Sequence, residues 1–281
     1  MTSYGHQALE QAVALVQSRL GIALDDRAGR ERLAQVLTFR MRESGCNGFD
    51  GWLEGLRSPA QEALELRAIA DALTVPESYF FRSRNQIRVF ANVVLPDRLH
   101  ARCGAPVRVL SAGCAGGEEP YTLAMVAETV GALSVLGIDV SPRSLERGRR
   151  GRYMQWALRE TTADEQDRFF VRDGRELVVD QAIRSRVEFQ ERNLAQEDAA
   201  FWARGSFDVI FCRNVFMYLR PEAIRAIVER FERVLAPGGF LFLGHAETLR
   251  GEPTRFELRQ VQEAFFYQLG AEDGDRAVQS R

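Results

Sequence analysis

"LSAGCAGGEEPYTLAM", residues 110–125, runs from the apolar tip of a strand through a glycine-rich bend and two adjacent carboxylates into the opening of a helix. Bends of this kind usually cradle phosphates, because bare backbone amides and a helix N-terminus favour anions. Glu118 and Glu119 would repel one, so the turn points to a neutral or cationic nucleoside as its occupant. Outward from it, "VRVLSAG", "LSVLGIDV", "FDVIFCRN" and "GGFLFLGH" are short apolar strands alternating with amphipathic segments. That alternation predicts an α/β fold with a doubly wound parallel sheet. Near the C-terminus, "RFELRQ" and "EAFFYQL" read as an antiparallel strand pair added at the sheet edge. Between the second and fourth strands lies an irregular stretch, 151–193, whose "LVVD" and "RVEFQ" predict a small antiparallel accessory sheet.

Upstream the period changes. Leu9, Val13, Val16 and Leu20, then Leu33, Val36, Leu37 and Met41, recur three and four residues apart, which predicts a small all-α N-terminal domain. The expected division is a helical domain over 1–72, a linker over 73–100, an α/β domain over 101–270 carrying the insert 151–193, and a loose polar tail over 271–281. A chain of 281 residues with 46% hydrophobic and 27% charged content and a formal net charge of -2 is of ordinary globular composition, so bulk charge favours neither nucleic acid nor membrane. All 37 basic residues are Arg, a bias a GC-rich genome would also produce. The four cysteines, Cys46, Cys103, Cys114 and Cys212, form no C-x-x-C pair and no metal spacing with the three histidines; no metal site is expected. Free thiols, with neither a basic-then-apolar leader nor an apolar run of roughly 20 residues, suggest a cytoplasmic setting without membrane insertion.

Dinucleotide-binding and methyl-donor folds share this architecture, and the turn separates them. Gly113-Cys-Ala-Gly116-Gly117-Glu118-Glu119 is not the G-x-G-x-x-G arrangement that sets a helix N-terminus against a pyrophosphate. S-adenosylmethionine has no phosphate, carries a sulfonium cation and tolerates acidic neighbours. Asp139 ends the second strand, where a carboxylate can accept from both ribose hydroxyls. The P-G-G turn before the fifth strand is likewise common in methyltransferases.

The segments "LTVPESYFFR" (73–82), "GGEEPYTLAM" (116–125), "NL" (193–194), "FCRNVFMYL" (211–219) and "GHAETL" (244–249) together resemble the bacterial chemotaxis receptor glutamate methyltransferases, the CheR family. The resemblance runs in order from about residue 10 to 269. It implies a helical N-terminal domain, a linker, a Rossmann-like class I methyltransferase domain that uses S-adenosylmethionine and yields S-adenosylhomocysteine, and a small inserted antiparallel β-subdomain. In the family's T-N-x-T-x-F-F-R segment an Asn, a Thr and an Arg touch the cofactor. Ser78 and Arg82 match the last two, whereas the Asn position holds Pro76, which offers neither a side-chain amide nor a backbone N–H. By the same resemblance Glu119, with Glu118, and Asp139 hold the methionine and ribose ends beside the Gly113 turn, and Asn193, Leu194, Arg213 and Asn214 line the adenosine side.

The implied chemistry is methyl transfer to a receptor Glu, giving a γ-methyl ester. A Glu carboxylate, with a reference pKa of about 4.3, is already ionised at neutral pH and needs no general base. What is required is alignment of oxygen, methyl carbon and sulfur, an orientation effect of about 7–11 kcal/mol. By the resemblance Arg82, whose planar fork suits two oxygens, reaches into the site to orient the incoming carboxylate, and Tyr218 lies close to the transferring methyl group. Each has a structural alternative: Arg82 as a surface ion-pair partner, Tyr218 as a half-buried cap, and one of Glu118 and Glu119 serving only the helix N-terminus. His245 reads as structural, and Cys114 and Cys212 as small core residues.

The expected partners are the chemoreceptor cytoplasmic helices that carry the target glutamates. "RAGRERLAQVLTFRMR", 27–42, presents Arg27, Arg30, Arg32, Arg40 and Arg42 against a single Glu31, a basic helix suited to an acidic receptor helix. The insert 151–193 could offer a strand edge to a receptor tail, and either contact would recruit the protein to membrane receptor clusters. No nucleic-acid partner is expected, since the domain lacks interleaved exposed aromatics and a basic net charge. Two alternatives remain open at this stage: a cofactor-binding regulator without turnover, and a methyltransferase acting on small molecules.

Overall fold

The computed structural model describes residues 6–46, 48–74, 77–128 and 132–270. Pro76 and the tail 271–281 lie outside them. Four helices open the chain: α1 (His6–Leu20), α2 (Arg27–Glu43), α3 (Gly48–Gly55) and α4 (Pro59–Leu73). Asp26 caps α2 by accepting from the Gly29 amide at 2.9 Å. The apolar stripes of α1, α2 and α4 close on one core that includes Val16, Leu33, Leu37, Trp52 and Ile69. Among the described residues one acid, Glu65, is buried in it and takes hydrogen bonds from Arg40 (3.1 and 2.7 Å) and Trp52 (3.0 Å).

Beyond an irregular stretch over 77–83 the chain turns helical again, with α5 (Arg84–Val89), a π-helical turn (Phe90–Val94) and α6 (Leu95–Ala101). The stretch read as a linker over 73–100 thus contains two helices and a π-helical turn. Phe90, Val94 and Leu95 are buried in the core of the sheet, Phe90 meeting Phe211 edge to face at 5.3 Å, and burial of that much apolar surface makes this segment part of the α/β layer.

The sheet then unfolds in the expected alternation. In chain order come β1 (Val107–Ala112), α7 (Glu118–Val126), β2 (Leu133–Asp139) and α8 (Pro142–Arg150), followed by β3 (Arg152–Met154), α9 (Ala163–Phe169), β4 (Phe170–Asp173), β5 (Glu176–Val179) and α10 (Gln181–Arg184). The chain closes with β6 (Val187–Glu191), β7 (Phe207–Cys212), α11 (Pro221–Val234), β8 (Leu235–Leu243), β9 (Phe256–Val261) and β10 (Ala264–Leu269). Seven strands form one sheet in the order β6-β2-β1-β7-β8-β10-β9, parallel except at β10, which is antiparallel to both of its neighbours. The predicted C-terminal pair therefore does form the sheet edge. Because the chain steps from β1 outward to β6 and then returns to β7 on the other side of β1, a crevice opens beyond the carboxyl ends of β1, β2 and β7.

The accessory sheet has the order β3-β5-β4 and contains "LVVD" but not "RVEFQ". "RVEFQ" supplies β6, paired in parallel with β2, so the insert is shorter than 151–193. The physical reason is Phe189, whose ring fills a slot where added Cβ atoms on Gly117, Gly137 and Gly148 would lie 2.8–3.0 Å from it. The glycine turn and the β6 edge were made for each other's shape, a fit that strand propensity alone does not register.

Candidate active site

β1 ends at Ala112, and Gly113 turns the chain with φ +74°. A Cβ at Gly113 would lie 2.4 Å from Val215 Cγ2, so only glycine lets the two loops close. The amides of the bend are engaged within the protein. Those of Gly113 and Cys114 both donate to the Ile138 carbonyl (2.8 and 3.0 Å), that of Gly117 to Cys114 O (3.0 Å), and that of Ala115 to Asp139 Oδ2 (2.9 Å). The conflict between a glycine-rich turn and two carboxylates is thereby resolved: these amides hold Asp139 and β2, and the loop is no phosphate cradle.

Asp139 also accepts from the Ser141 amide at 2.9 Å. Burial pushes its carboxyl above the usual range, the Ser141 and Ala115 amides oppose this, and the charge of Asp71 adds to the upward shift. Glu119, one step into α7, accepts from Ser111 Oγ and Arg213 Nε, each at 2.6 Å. Arg213 extends the network through Nη1 to the Arg82 carbonyl (2.7 Å) and Gln86 Oε1 (3.2 Å). Arg82 lines the same cleft, where its Nη1 donates to the Glu77 carbonyl at 2.9 Å and its guanidinium lies over Tyr79.

Phe81 and Ser83, on either side of Arg82, have φ +58° and +61°, and Ala115 and Asn214 on the cleft wall have +47° and +60°. Left-handed backbone is costly for non-glycine residues and gathers where a site constrains it. One device holds the Asn214 turn. Both oxygens of Glu247 accept backbone N–H groups, Oε2 from Asn214 (2.8 Å) and Gly244 (2.7 Å) and Oε1 from Phe216 (2.8 Å). Tyr218 follows on this loop and lines the cleft.

Of the residues singled out in the sequence, Ser78, Arg82, Gly113, Glu119, Asp139, Asn193, Leu194, Arg213, Asn214 and Tyr218 converge on one cleft. Glu118 does not. It is buried beneath Arg147, which donates to it at 2.6 Å, so of the two adjacent carboxylates only Glu119 faces the cleft. Asn193 lines the cleft with its side chain committed within the protein, Nδ2 donating to the Arg19 carbonyl (2.8 Å) and Oδ1 accepting from the Ala195 amide (2.8 Å). His245 is exposed, and burial pushes the Cys114 and Cys212 thiols well up, as in inert core cysteines.

Sequence reasoning missed one wall altogether. Leu20, Ile22, Ala70, Asp71 and Thr74 of the helical region line the cleft. A two-stranded bridge between Ile22 and Leu219 fixes this wall, with Ala23 donating to the Tyr218 carbonyl and Arg220 to that of Gly21, each at 2.8 Å. Gln86 and Glu247 were missed too, although "GHAETL" had marked the latter.

The cleft encloses about 1170 Å³ of empty space, its open mouth included. It is lined by four acidic residues, Asp71, Glu77, Glu119 and Asp139, and four of the bend's amides are committed elsewhere. This donor set fits S-adenosylmethionine, which carries positive charge and hydroxyl donors but no phosphate. Fold and site together define a methyltransferase dependent on that cofactor.

Comparison with known proteins narrows the class. Residues 76–265 match the family described as CheR methyltransferase, SAM binding domain. The chain is 34% identical over 256 residues to the chemotaxis protein methyltransferase of Escherichia coli K12, covering 87% of this chain and 85% of that one. It is 35% identical over 256 residues to its counterpart in Klebsiella aerogenes (87% and 84%), and 29% identical over 277 residues to chemotaxis protein methyltransferase Cher2 of Pseudomonas putida (95% and 99%). The chain belongs to the CheR methyltransferase family.

Proposed function

We propose that this protein transfers the methyl group of S-adenosylmethionine to glutamate side chains of chemoreceptors, giving γ-methyl esters. The carrying observation is the composition of the cleft: carboxylates suited to a cationic cofactor, and no histidine among the described residues that line it. An acceptor that is already ionised needs no base, which disfavours hydroxyl acceptors. The cofactor supplies a methyl group on a sulfonium leaving group; the chain supplies orientation.

In this reading Asp139 accepts from the ribose hydroxyls and Glu119, held by Ser111 and Arg213, meets the ammonium of the methionine end. Asn214, Leu194 and the backbone at Asn193 flank the adenosine. Gly113 allows close approach, Ser78 offers a hydroxyl, and Arg213 acts by fixing Glu119 and the Arg82 carbonyl. Arg82 and Tyr218 sit where the acceptor carboxylate enters, and Arg82 orients its two oxygens.

Docking is read from two surfaces. On α2, Arg27 pairs with Glu31, Arg30 with Glu10 and Arg40 with Glu65. That leaves Arg32 and Arg42, with the 59% exposed Phe39 between them, as the stripe suited to an acidic receptor helix. Met154 and Val171 are exposed on β3 and β4, the edge strands of the accessory sheet, and Trp156 is exposed on the turn just after β3, which supports strand addition by a receptor tail. We divide the chain accordingly into a helical substrate-facing domain, a catalytic α/β domain and an inserted β-subdomain. Among the described residues no helix is long and apolar enough to cross a membrane.

The test is incubation with tritiated S-adenosylmethionine and membranes bearing the organism's own chemoreceptors, followed by counting methanol released by mild alkali. Wild type should give alkali-labile label that Arg82→Ala and Asp139→Ala abolish. Cofactor binding by calorimetry without label would overturn the reading for these receptors.

A further inference from the structure

Asp71 lines the cleft from α4, outside the sheet and outside every motif that marks the site in the sequence. Arg67, Ala70, Asp71 and Thr74 fall on one face of that helix, spaced i, i+3, i+4 and i+7. Arg67 anchors this face to the sheet through an ion pair with Glu191. Glu191 on β6 is the direct neighbour of Asp139 on β2. One turn beyond that anchor, Asp71 is carried over the cleft toward Asp139, close enough that its charge bears on the Asp139 carboxyl.

No hydrogen bond or ion pair satisfies the Asp71 carboxylate among the described residues. Of the cations lining the cleft, Arg213 is tied to Glu119 and Arg82 donates to the Glu77 carbonyl, while Arg192 donates to the Glu191 carbonyl (3.2 Å) and lies over Phe201 with its buried Nε left without a hydrogen-bond partner among the described residues. The Asp71 and Asp139 carboxylates line one cleft and repel, and a ligand that brings hydroxyl donors to both relieves that repulsion. A ribose brings two hydroxyls. Asp139 already accepts a backbone N–H on each oxygen, which takes up part of its acceptor capacity and favours a second carboxylate sharing the ribose hydroxyls.

We propose that Asp71 is a second ribose-binding carboxylate, contributed by the helical region, so that the cofactor's ribose is gripped between Asp71 and Asp139. This rests on the assignment of Asp139 to the ribose. It makes the helical region a structural part of the cofactor site, and ties cofactor binding to the seating of α4 on β2 and β6.

The experiment is calorimetric titration of the full chain with S-adenosylhomocysteine and with its 2′-deoxy and 3′-deoxy analogues, for wild type, Asp71→Ala and Asp71→Asn. A hydrogen bond to a charged acceptor is expected to be worth about tenfold or more in affinity. Asp71→Ala should weaken S-adenosylhomocysteine by that factor, and for one of the deoxy analogues the penalty should shrink to less than about twofold. Asp71→Asn keeps one acceptor oxygen and the side-chain shape, so it should show a smaller loss of the same pattern at an unchanged melting temperature; it carries the test if the alanine variant does not fold. Undiminished affinity in both variants, or an equal penalty for all three ligands, would overturn the proposal. Failure of the ribose assignment is seen separately, as retention of full affinity by Asp139→Ala.

Discussion

Glu247 offers the sharpest test of how the site is held. Its carboxylate binds the amides of Asn214 and Phe216, which bracket the turn leading to Tyr218, and it ties the same turn to Gly244 just after β8. In Glu247→Gln one oxygen becomes an amide NH2. Oε2 serves two N–H groups and Oε1 one, so the glutamine carbonyl will stay with Asn214 and Gly244 and set its NH2 against the Phe216 donor. The loss is one hydrogen bond to a charged acceptor plus a donor facing a donor, about 1.5–3 kcal/mol. If the loop relieves this by shifting, the shift falls on Tyr218 and Asn214, and kcat/KM for receptor methylation should drop roughly 10- to 100-fold. Glu247→Ala loses all three bonds and should lose more. Gly244→Ala provides an independent route to the same displacement, because its Cβ would lie 2.6 Å from Glu247 Oε2. Steady-state methylation kinetics, S-adenosylhomocysteine calorimetry and thermal melts on the three variants separate the possibilities. Unchanged kcat, KM and affinity in Glu247→Gln, with only the melting temperature lowered, would refute a positioning role for this carboxylate.

Further outcomes follow from other parts of the molecule. Gly113→Ala combines a φ of +74° with a Cβ 2.4 Å from Val215, and should destabilise the fold by about 2–5 kcal/mol and abolish S-adenosylhomocysteine binding, read by chemical denaturation and calorimetry. Glu65→Ala leaves Arg40 and the Trp52 N–H without their buried partner and should cost about 3–5 kcal/mol near neutral pH. For the Glu65 carboxyl, burial pushes upward but is outweighed by hydrogen bonds from Arg40 and Trp52, which hold it below the ordinary range. Its contribution is therefore complete above an unfolded value of about 4.3 and fades as pH falls through the lower folded value, so melts of wild type and Glu65→Ala should converge in acid and stay apart at neutrality. Asn193→Ala removes the bond to Arg19 and should loosen the helical wall, costing about 1 kcal/mol and speeding limited proteolysis near residues 21–26.

Strand and helix order, the glycine turn and Asp139 at the tip of β2 are all legible in the sequence because their signals are local: period, turn chemistry and the place where a strand ends. The motifs likewise mark most of the side chains that reach the cleft. Neighbouring identity was a poorer guide. Glu118 and Glu119 read alike as a pair, yet the helical step of α7 sends one to the cleft and the other beneath Arg147. "RVEFQ" reads as strand in either sheet, and only the glycine slot for Phe189 assigns it to the main one. Ile87, Phe90, Val94 and Leu95 have the spacing of an apolar helix face, but that this face is buried in the sheet core, with Phe90 against Phe211, is decided only by packing.

What the sequence by itself determined is the class of fold, the cofactor chemistry and the half of the site built on the sheet. Only the tertiary structure decided the other half. Asp71 and Ile22 join the cleft because α4 and the turn after α1 dock on the strand ends, through contacts such as Arg67 to Glu191 and Asn193 to Arg19 that span 124 and 174 residues. Such contacts depend on how two separately packed cores meet, and residue patterns that repeat every two or 3.6 positions carry no record of that meeting.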